Sequence, residues 1–481
     1  MPVIPGCTNL FQDCKDLYQF LLACKQVSIE RAKSHIVSIS VEIPSIDPLA
    51  ILRQFGKPDQ LHFYLEKGDQ NSSFSSENET VAIAAIGTAL SQEIEGDDRF
   101  LQVKNFIRSS LSSLITAETS NSAFAGPHFF CGFTFFDQNS EQNAPFPGAT
   151  VFLPCWQISR KKNRSTVVAN ILVDSGLNLN LISETLCHQF QAITAIKYDW
   201  FSLGIDSPSP LQQKTIKDTE SFQAAVASAL VSIQSKHLNK IVLAHALDVV
   251  SPMPLHPVDS LHHLRQLHPD CYVFSIGNGR GQSFIGASPE RLVSLHNRQL
   301  ATDALAGSAP RGKTPTEDAR LADGLLSSQK ELHEHQVVID FITQRLVELG
   351  LRPHLSPRRL LQLSNIQHLQ TPVQAVLPPA VHLLDVVAEL HPTPAVAGTP
   401  RRLACEQIRR YENFERSLYA APIGWVDHQG NGEFVVGIRS ALVEGCHARL
   451  YAGAGIVAGS DPEREMAEVQ LKLRALLGAL V

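Results

Sequence analysis

Short apolar runs separated by polar, turn-forming stretches make up the first half of the chain. His35 to Ile43 (HIVSISVEI) and Val81 to Leu90 have the length and β-branched content of strands, and Phe129 to Phe136 and Ala149 to Leu153 continue the pattern. Asn71 to Glu79 and Asp137 to Pro145 read as loops. Arg160 to Arg164 is a basic run between two strand-like stretches, as in a solvated hairpin tip. Leu203 to Lys214, rich in Ser, Pro and Gln, marks a boundary. Beyond it the signals sharpen. Asp218 to Ser235 has helical periodicity and runs into the strand-like Lys240 to His245. Asp259 to Leu267 reads as a short helix whose neighbouring His262, His263 and His268 lack zinc-ligand spacing and are expected at the surface. Cys271 to Ile276 and Ser283 to Ala287 flank Gly277-Asn278-Gly279-Arg280-Gly281; a strand rather than a helix follows the glycines, so this is a hairpin and not a dinucleotide fingerprint. Leu321 to Leu349 predicts one long amphipathic helix and Ala380 to Leu390 a shorter one. Trp425 to Phe434 predicts a hairpin turning at Asn431-Gly432, and Val435 to Ala441 a strand carrying Arg439. Strands and helices in mixed order, joined by hairpins, point to an α+β fold built on antiparallel sheets.

At 481 residues the chain has room for one very large domain or two to three ordinary ones. A hydrophobic content of 44% and a charged content of 18% allow a sizeable core. The net charge of −6 leaves no electrostatic footprint for nucleic acid or an anionic membrane. Nine scattered cysteines with no CxxC spacing suit a reducing compartment. The opening residues lack a secretory pattern, and the longest apolar stretch, Val81 to Leu90, is too short to span a bilayer. A cytoplasmic protein is expected.

Two segments concentrate the chemistry. In Tyr451 to Lys472 (YAGAGIVAGSDPEREMAEVQLK), Gly453, Gly455 and Gly459 are expected to break a strand and let main-chain N–H groups approach an anion. Ser460-Asp461-Pro462-Glu463 then reads as a helix start. On that helix Glu465, Glu468 and Lys472 share one face, and on the Leu321 to Leu349 helix Glu331 and Glu334 do the same. Either set alone is also what a solvated helix face would show. His333 and His335, two apart, point to opposite sides and cannot chelate one ion together. Facing carboxylate pairs would make a hard-oxygen site suited to Mg²⁺. Arg439, amid apolar neighbours, wants an anion, so a substrate with two acidic groups is implied.

With these residues in view, the chain resembles the chorismate-utilising enzyme family and, within it, the isochorismate synthase branch. The matching runs are LNKIVLAHALD, FIGASPERLVSL, ALAGSAPRG, LLSSQKELHEHQVV, NIQHLQTPV, LHPTPAVAGTPR, FERSLYAAPIGW, EFVVGIRSA and YAGAGIVAGSDPE, in the family's order between residues 236 and 475. The resemblance implies an anthranilate synthase component I-like fold, with large, mostly antiparallel sheets packed as a sandwich and helices outside. It implies residues 216–481 as the chorismate-binding core and 1–215 as the variable half of the same large domain. It further implies Mg²⁺-dependent conversion of chorismate to isochorismate, water adding at C2 as the C4 hydroxyl leaves. Lys240 matches the general base, a role that needs an uncharged amine, and Glu290 the general acid, which must hold a proton. Glu334 and Glu468 match the direct magnesium ligands, and Glu331 and Glu465 the carboxylates that hold its waters. Tyr419, Arg439 and Gly455 match contacts to the enolpyruvyl carboxylate; Gly307, Ser308 and Lys472 match other substrate contacts, and His368 a histidine of the pocket.

Read without the family, Lys240 could be a surface residue, Glu290 a turn residue, Tyr419 core filling, and Arg439 the partner of a carboxylate such as Glu433. His245, Gln329 and Val469 depart from residues common in the family's motifs. Ala306 stands where the aminodeoxychorismate branch carries a lysine nucleophile, which argues against covalent amination. No amidotransferase subunit is expected, and the chain is expected as a monomer or weak homodimer. The alternatives are a salicylate synthase, which goes on to expel pyruvate, and a non-catalytic chorismate-binding relative.

Overall fold

Strand pairing sorts the apolar runs into two sheets in a computed structural model that describes residues 10–68, 80–118, 124–138, 144–196, 200, 212–213, 219–364 and 366–480. The predicted Asn71–Glu79 loop, and the 203–214 boundary apart from a two-residue strand at Gln212–Gln213, lie outside the described residues. The larger sheet has 13 described strands. From one edge they run Gln212–Gln213, Lys240–Val250, His447–Val457, Ser440–Glu444, Gln282–Ser288, Tyr272–Asn278, Leu61–Lys67, Val81–Ile86, Trp156–Lys161, Arg164–Val173, His35–Pro44 and Leu114–Glu118, with Gly398–Thr399 paired to the start of Lys240–Val250. The second sheet has ten, in the order His354–Leu355, Ile366–Val376, Gln299–Pro310, Arg291–His296, Gly432–Val436, Pro422–Asp427, His128–Phe133, Ala149–Leu153 and Leu90–Ile94, with Arg359–Gln362 paired to Ile366–Val376. Only His35–Pro44 and Leu114–Glu118 pair in parallel among the described strands. The expected α+β class with large antiparallel sheets is what forms.

Both sheets are joined at their middle by strands from the two ends of the chain. Tyr272–Asn278 pairs with Leu61–Lys67 in one, and Pro422–Asp427 with His128–Phe133 in the other. All six residues of His128–Phe133 are buried, as expected of a strand covered on both faces. The sheets meet there through Phe63 and Phe130, whose ring centroids are 4.7 Å apart. A Cβ at Gly132 would lie 2.7 Å from the Cδ1 of Ile276, so a larger residue here would push that side chain aside.

The chain passes from sheet to sheet at short corners, two of which carry charged side chains. Gln282–Ser288 in the larger sheet leads through Pro289 and Glu290 into Arg291–His296 in the smaller. Gly432–Val436 leads back through residues 437–439 to Ser440–Glu444. The expected single strand over Val435 to Ala441 is therefore two, and Arg439 stands on the corner with φ of 50°. The first half turns two corners of the same kind, at residues 87–89 and 154–155.

Four further expectations are corrected. The single helix over 321–349 is two, Pro315–Ser327 and Gln329–Glu348, because the Ser328 side chain caps the second by accepting from the Glu331 N–H at 3.4 Å. Gly453 and Gly455 lie within the continuous strand His447–Val457, paired with residues 244 and 242, and only Gly459 turns the chain. His268 is buried, not at the surface, while His262 stacks on Trp200 at 4.2 Å. The hairpin after Pro422–Asp427 turns over residues 428–431, with Gly430 at φ 85°. Helix Gln329–Glu348 packs on Gln299–Pro310, and helix Pro462–Leu477 on His447–Val457.

Phe130→Ala removes a fully buried ring from the contact between sheets and should lower stability by about 3–5 kcal/mol, read as a fall in the denaturant midpoint with an unchanged slope.

Candidate active site

Local chemistry decides the position of each functional side chain before they meet. Asp461 caps helix Pro462–Leu477 by accepting from the N–H groups of Glu463 and Arg464, at 3.1 and 3.0 Å, which turns Glu465 and Glu468 towards the strand beneath. Ser328 sets the register of the other helix, so that Glu331 and Glu334 face the same space. Gly307, at φ 77°, sits in a bulge of the Gln299–Pro310 strand and aims the Ser308 N–H at Glu331 Oε2, 3.2 Å away. These elements enclose a cavity of about 290 Å³. Lys240, Glu290, Gly307, Ser308, Glu331, Glu334, His368, Tyr419, Arg439, Gly455, Glu465, Glu468 and Lys472 all line it, so every residue singled out from the sequence is brought to one place.

Lys240 opens its strand from a buried position, 2% exposed, and its Nζ donates to Glu334 Oε1 at 2.6 Å. That contact excludes the surface-lysine alternative. Gly455, paired with Val242 on the neighbouring strand, makes room for it: a Cβ there would lie 3.0 Å from Glu334 Oε1 and 3.2 Å from Lys240 Cε. A Cβ at Gly453 would lie 2.9 Å from the Tyr419 hydroxyl. Lys472 donates to Glu468 Oε1 at 2.7 Å and to the Gly453 carbonyl at 2.9 Å.

Next to the acids stand a cation and a neutral ring. Arg439 is half-buried and reaches the Cys271 thiol at 3.9 Å and His368 Nε2 at 3.3 Å. Glu433, the alternative partner, instead accepts from Tyr272 at 2.9 Å, and among the described residues no carboxylate pairs with Arg439. Burial, reinforced by Arg439 and Lys472, pushes the His368 imidazole well below its ordinary range, so the ring is neutral. A guanidinium can only donate, so Nε2 accepts, and Nδ1 carries the proton that it donates to the Ser308 hydroxyl at 2.9 Å. Glu290, at its corner, is raised to about 8 by burial, with Asp303 adding to the rise and Lys240 opposing it; it therefore holds a proton at neutral pH.

The four helix-borne carboxylates are not equivalent. Burial first and the neighbouring carboxylates next raise Glu331 and Glu465. Burial works in the same direction on Glu468, yet Lys472 with Lys330 and Lys240 holds it below the usual carboxylate range. Among the described residues, no three His, Cys, Asp or Glu side chains are drawn closely enough together to enclose an ion. Lysines lie between the acids instead. Lys330 Nζ is 3.8 Å from Glu331 Oε1 and 3.9 Å from Glu465 Oε1. As hard-oxygen donors on two facing helices, these acids still match a small divalent cation in chemistry.

The model of chorismate binding enzymes matches residues 19–481. The chain belongs to that family. As a chorismate binding enzyme it is 32% identical over 457 residues to the salicylate biosynthesis isochorismate synthase of Pseudomonas aeruginosa, covering 92% of this chain and 90% of that one. It is 30% identical over 455 residues to a Bacillus subtilis isochorismate synthase, covering 92% and 93%. The solved menaquinone-specific isochorismate synthase of Escherichia coli superposes with a TM-score of 0.73 at 25% identity, over 95% of this chain and 99% of that one.

Two lining cations of this chorismate binding enzyme escaped the sequence reading, Lys330 and Arg464. Each precedes a lining glutamate by four residues, Glu334 and Glu468, and helical spacing would have found both.

The raised carboxyl of Glu290 makes stability depend on pH. The native state keeps a proton that the unfolded chain releases near the ordinary value of 4.5, so stability falls as pH rises from there through about 8 and levels above it. Glu290→Gln should therefore raise the melting temperature relative to the parent at pH 9 and lose that advantage towards pH 4.5, as measured by scanning calorimetry across the range.

Proposed function

We propose that this chain is an isochorismate synthase that isomerises chorismate by adding water at C2 and releasing the C4 hydroxyl. The observation that carries the reading is Arg439, a half-buried guanidinium with no carboxylate partner among the described residues, lining the same cavity as four glutamates. That combination suits a small molecule with two carboxylates, one for the guanidinium and one for a cation held by the acids. The relatives in Pseudomonas, Bacillus and Escherichia, all named as isochorismate synthases, support the choice within the family.

In this reading Arg439, Tyr419 and the main chain at Gly455 hold the enolpyruvyl carboxylate, while Ser308, Gly307 and Lys472 orient the ring, with His368 fixing Ser308. Lys240, which rests as the ion-pair partner of Glu334 and must first give up its ammonium proton, takes a proton from the incoming water. Glu290 gives its proton to the departing hydroxyl, which leaves as water. One water enters and one leaves, so the product is an isomer, and the proton gained by Lys240 must return through solvent to Glu290 before the next cycle. Glu334 and Glu468 would hold Mg²⁺, with Glu331 and Glu465 holding its waters; when bound, the ion supplies positive charge against the ring carboxylate. Lys240 and Glu334 already touch, so the base and the metal-binding wall are positioned together.

The test is product identity by chromatography, with chorismate in the presence and absence of Mg²⁺. Isochorismate without pyruvate, formed only with Mg²⁺, is expected; salicylate with stoichiometric pyruvate would replace this reading with that of a salicylate synthase, and binding without turnover would replace it with that of a non-catalytic relative. Lys240→Ala should lower turnover by at least about a hundredfold while calorimetry still detects Mg²⁺-dependent chorismate binding. Undiminished turnover would assign the base elsewhere.

A further inference from the structure

Strand Lys240–Val250 has one complete edge and one broken edge. Along the first it pairs with His447–Val457 over its whole length. Along the second it meets Gly398–Thr399 at residues 240–241 and Gln212–Gln213 at residues 249–250. No described strand covers the stretch between. There the Val242 N–H donates to the Ala397 carbonyl at 2.8 Å, and two buried side chains from a different part of the chain take up the groups that follow. Arg416 Nη2 donates to the Val242 carbonyl at 2.8 Å, and Glu412 Oε1 accepts from the Ala244 N–H at 2.8 Å. The two residues also pair with each other, at 2.8 Å from Nε and 2.5 Å from Nη2. Their side chains are 0% and 4% exposed.

Burying a guanidinium and a carboxylate is costly even when they are paired, and an apolar pair of similar volume commonly gives a fold of equal stability. Stability alone is thus a weak reason for a fully buried arginine here. The contacts of Arg416 suggest another reason. Its Nη1 donates to the Val396 carbonyl at 2.9 Å, its backbone carbonyl accepts from the Tyr419 N–H at 2.7 Å, and its guanidinium lies 5.8 Å from the centre of the Tyr419 ring. Val242, Val396 and Tyr419 all line the cavity. Lys240 lies two residues before Val242, on the same face of the same strand. One planar fork therefore ties together three separate segments of the cavity wall, and Phe135, 4.4 Å from the guanidinium, covers it.

We propose that Glu412 and Arg416 are positioning residues: the ion pair satisfies main-chain groups of this edge that no described strand pairs, and fixes the start of Lys240–Val250, and with it the Lys240 amine, relative to the loop at Val396 and the ring of Tyr419. The pair touches no reacting atom. Its effect rests on the reading of Lys240 as the base of a chorismate-isomerising enzyme, and it should appear in turnover more than in substrate binding, because of the groups that hold the substrate carboxylate only Tyr419 touches the pair, while Arg439 and Gly455 stand on other elements.

The test compares three variants with the parent enzyme, assayed with chorismate and Mg²⁺. Arg416→Lys keeps the charge but cannot reach both carbonyls and the carboxylate. Glu412→Gln/Arg416→Met removes the pair as a unit. Val103→Ala, a cavity in the distant helix Arg99–Leu111, serves as a stability control. Thermal melts give the folded fraction of each. Both pair variants are expected to fold and to lose kcat by about a hundredfold, the scale of a displacement of an ångström or so at a reacting group, with KM within about threefold of the parent; Val103→Ala should lower the melting temperature and leave kcat unchanged. Retention of kcat within twofold in either folded pair variant would overturn the proposal. So would a failure of both pair variants to fold while Val103→Ala folds, since the pair would then serve folding alone. A parent enzyme that leaves chorismate unchanged would instead overturn the functional reading itself, so the two failures are distinct.

Discussion

Lys240 and Glu334 meet at 2.6 Å between a strand and a helix that are 94 residues apart in sequence, and the cavity is arranged around that contact. A buried ammonium and carboxylate are tolerated only where each is paired and the surrounding groups complete the hydrogen bonding. The neighbouring strand accordingly carries glycine at 453 and 455, because a methyl group at either position would press on Tyr419, Glu334 or Lys240. The helix is accordingly started at Ser328, so that Glu334 arrives at the right height. Backbone and side-chain choices well apart in the chain serve one ion pair.

The second constraint is the passage between sheets. At a corner between two packed sheets the chain leaves one ladder for the other, so the side chain there need not follow the alternation of either pleat. Glu290 and Arg439 use the two corners of the second half in this way. Glu290 reaches an apolar setting that keeps its proton. Arg439 adopts a left-handed backbone uncommon for a residue with a long side chain, a conformation worth its strain where the guanidinium must face the cavity. The equivalent corners of the first half carry Gly87, Thr88 and Ala89 in one case and Pro154 and Cys155 in the other, which offer no charge. The same architecture is thus built twice and carries chemistry once.

Charge is divided by function as well as by position. The acids lie on two helices, Arg439, with no carboxylate partner among the described residues, and the neutral His368 on a corner and a strand, and lysines enter from strand and helix to moderate the acids. A site in which every charge were already matched internally would have little reason to hold a dianion. Here the excess of acid and an arginine with no carboxylate partner among the described residues leave two requirements of opposite sign for a ligand and a cation to satisfy.

By itself the sequence determined whatever depends on neighbours along the chain. The Glu-x-x-Glu pairs share a face because helical geometry puts residues three apart together, Asp461 and Pro462 start a helix because of cap chemistry, and the alternating and continuous apolar runs become strands. The ordered set of family motifs added the identity of the cavity residues, and all of them do line it. Tertiary structure alone decided the rest. The uninterrupted strand through Gly453 and Gly455, the burial of His268 and the departure of Arg439 from its strand follow from packing against elements remote in sequence. The order of strands across a sheet, and so which carboxylate Lys240 meets, depends on pairings between distant segments that no local pattern of residues encodes.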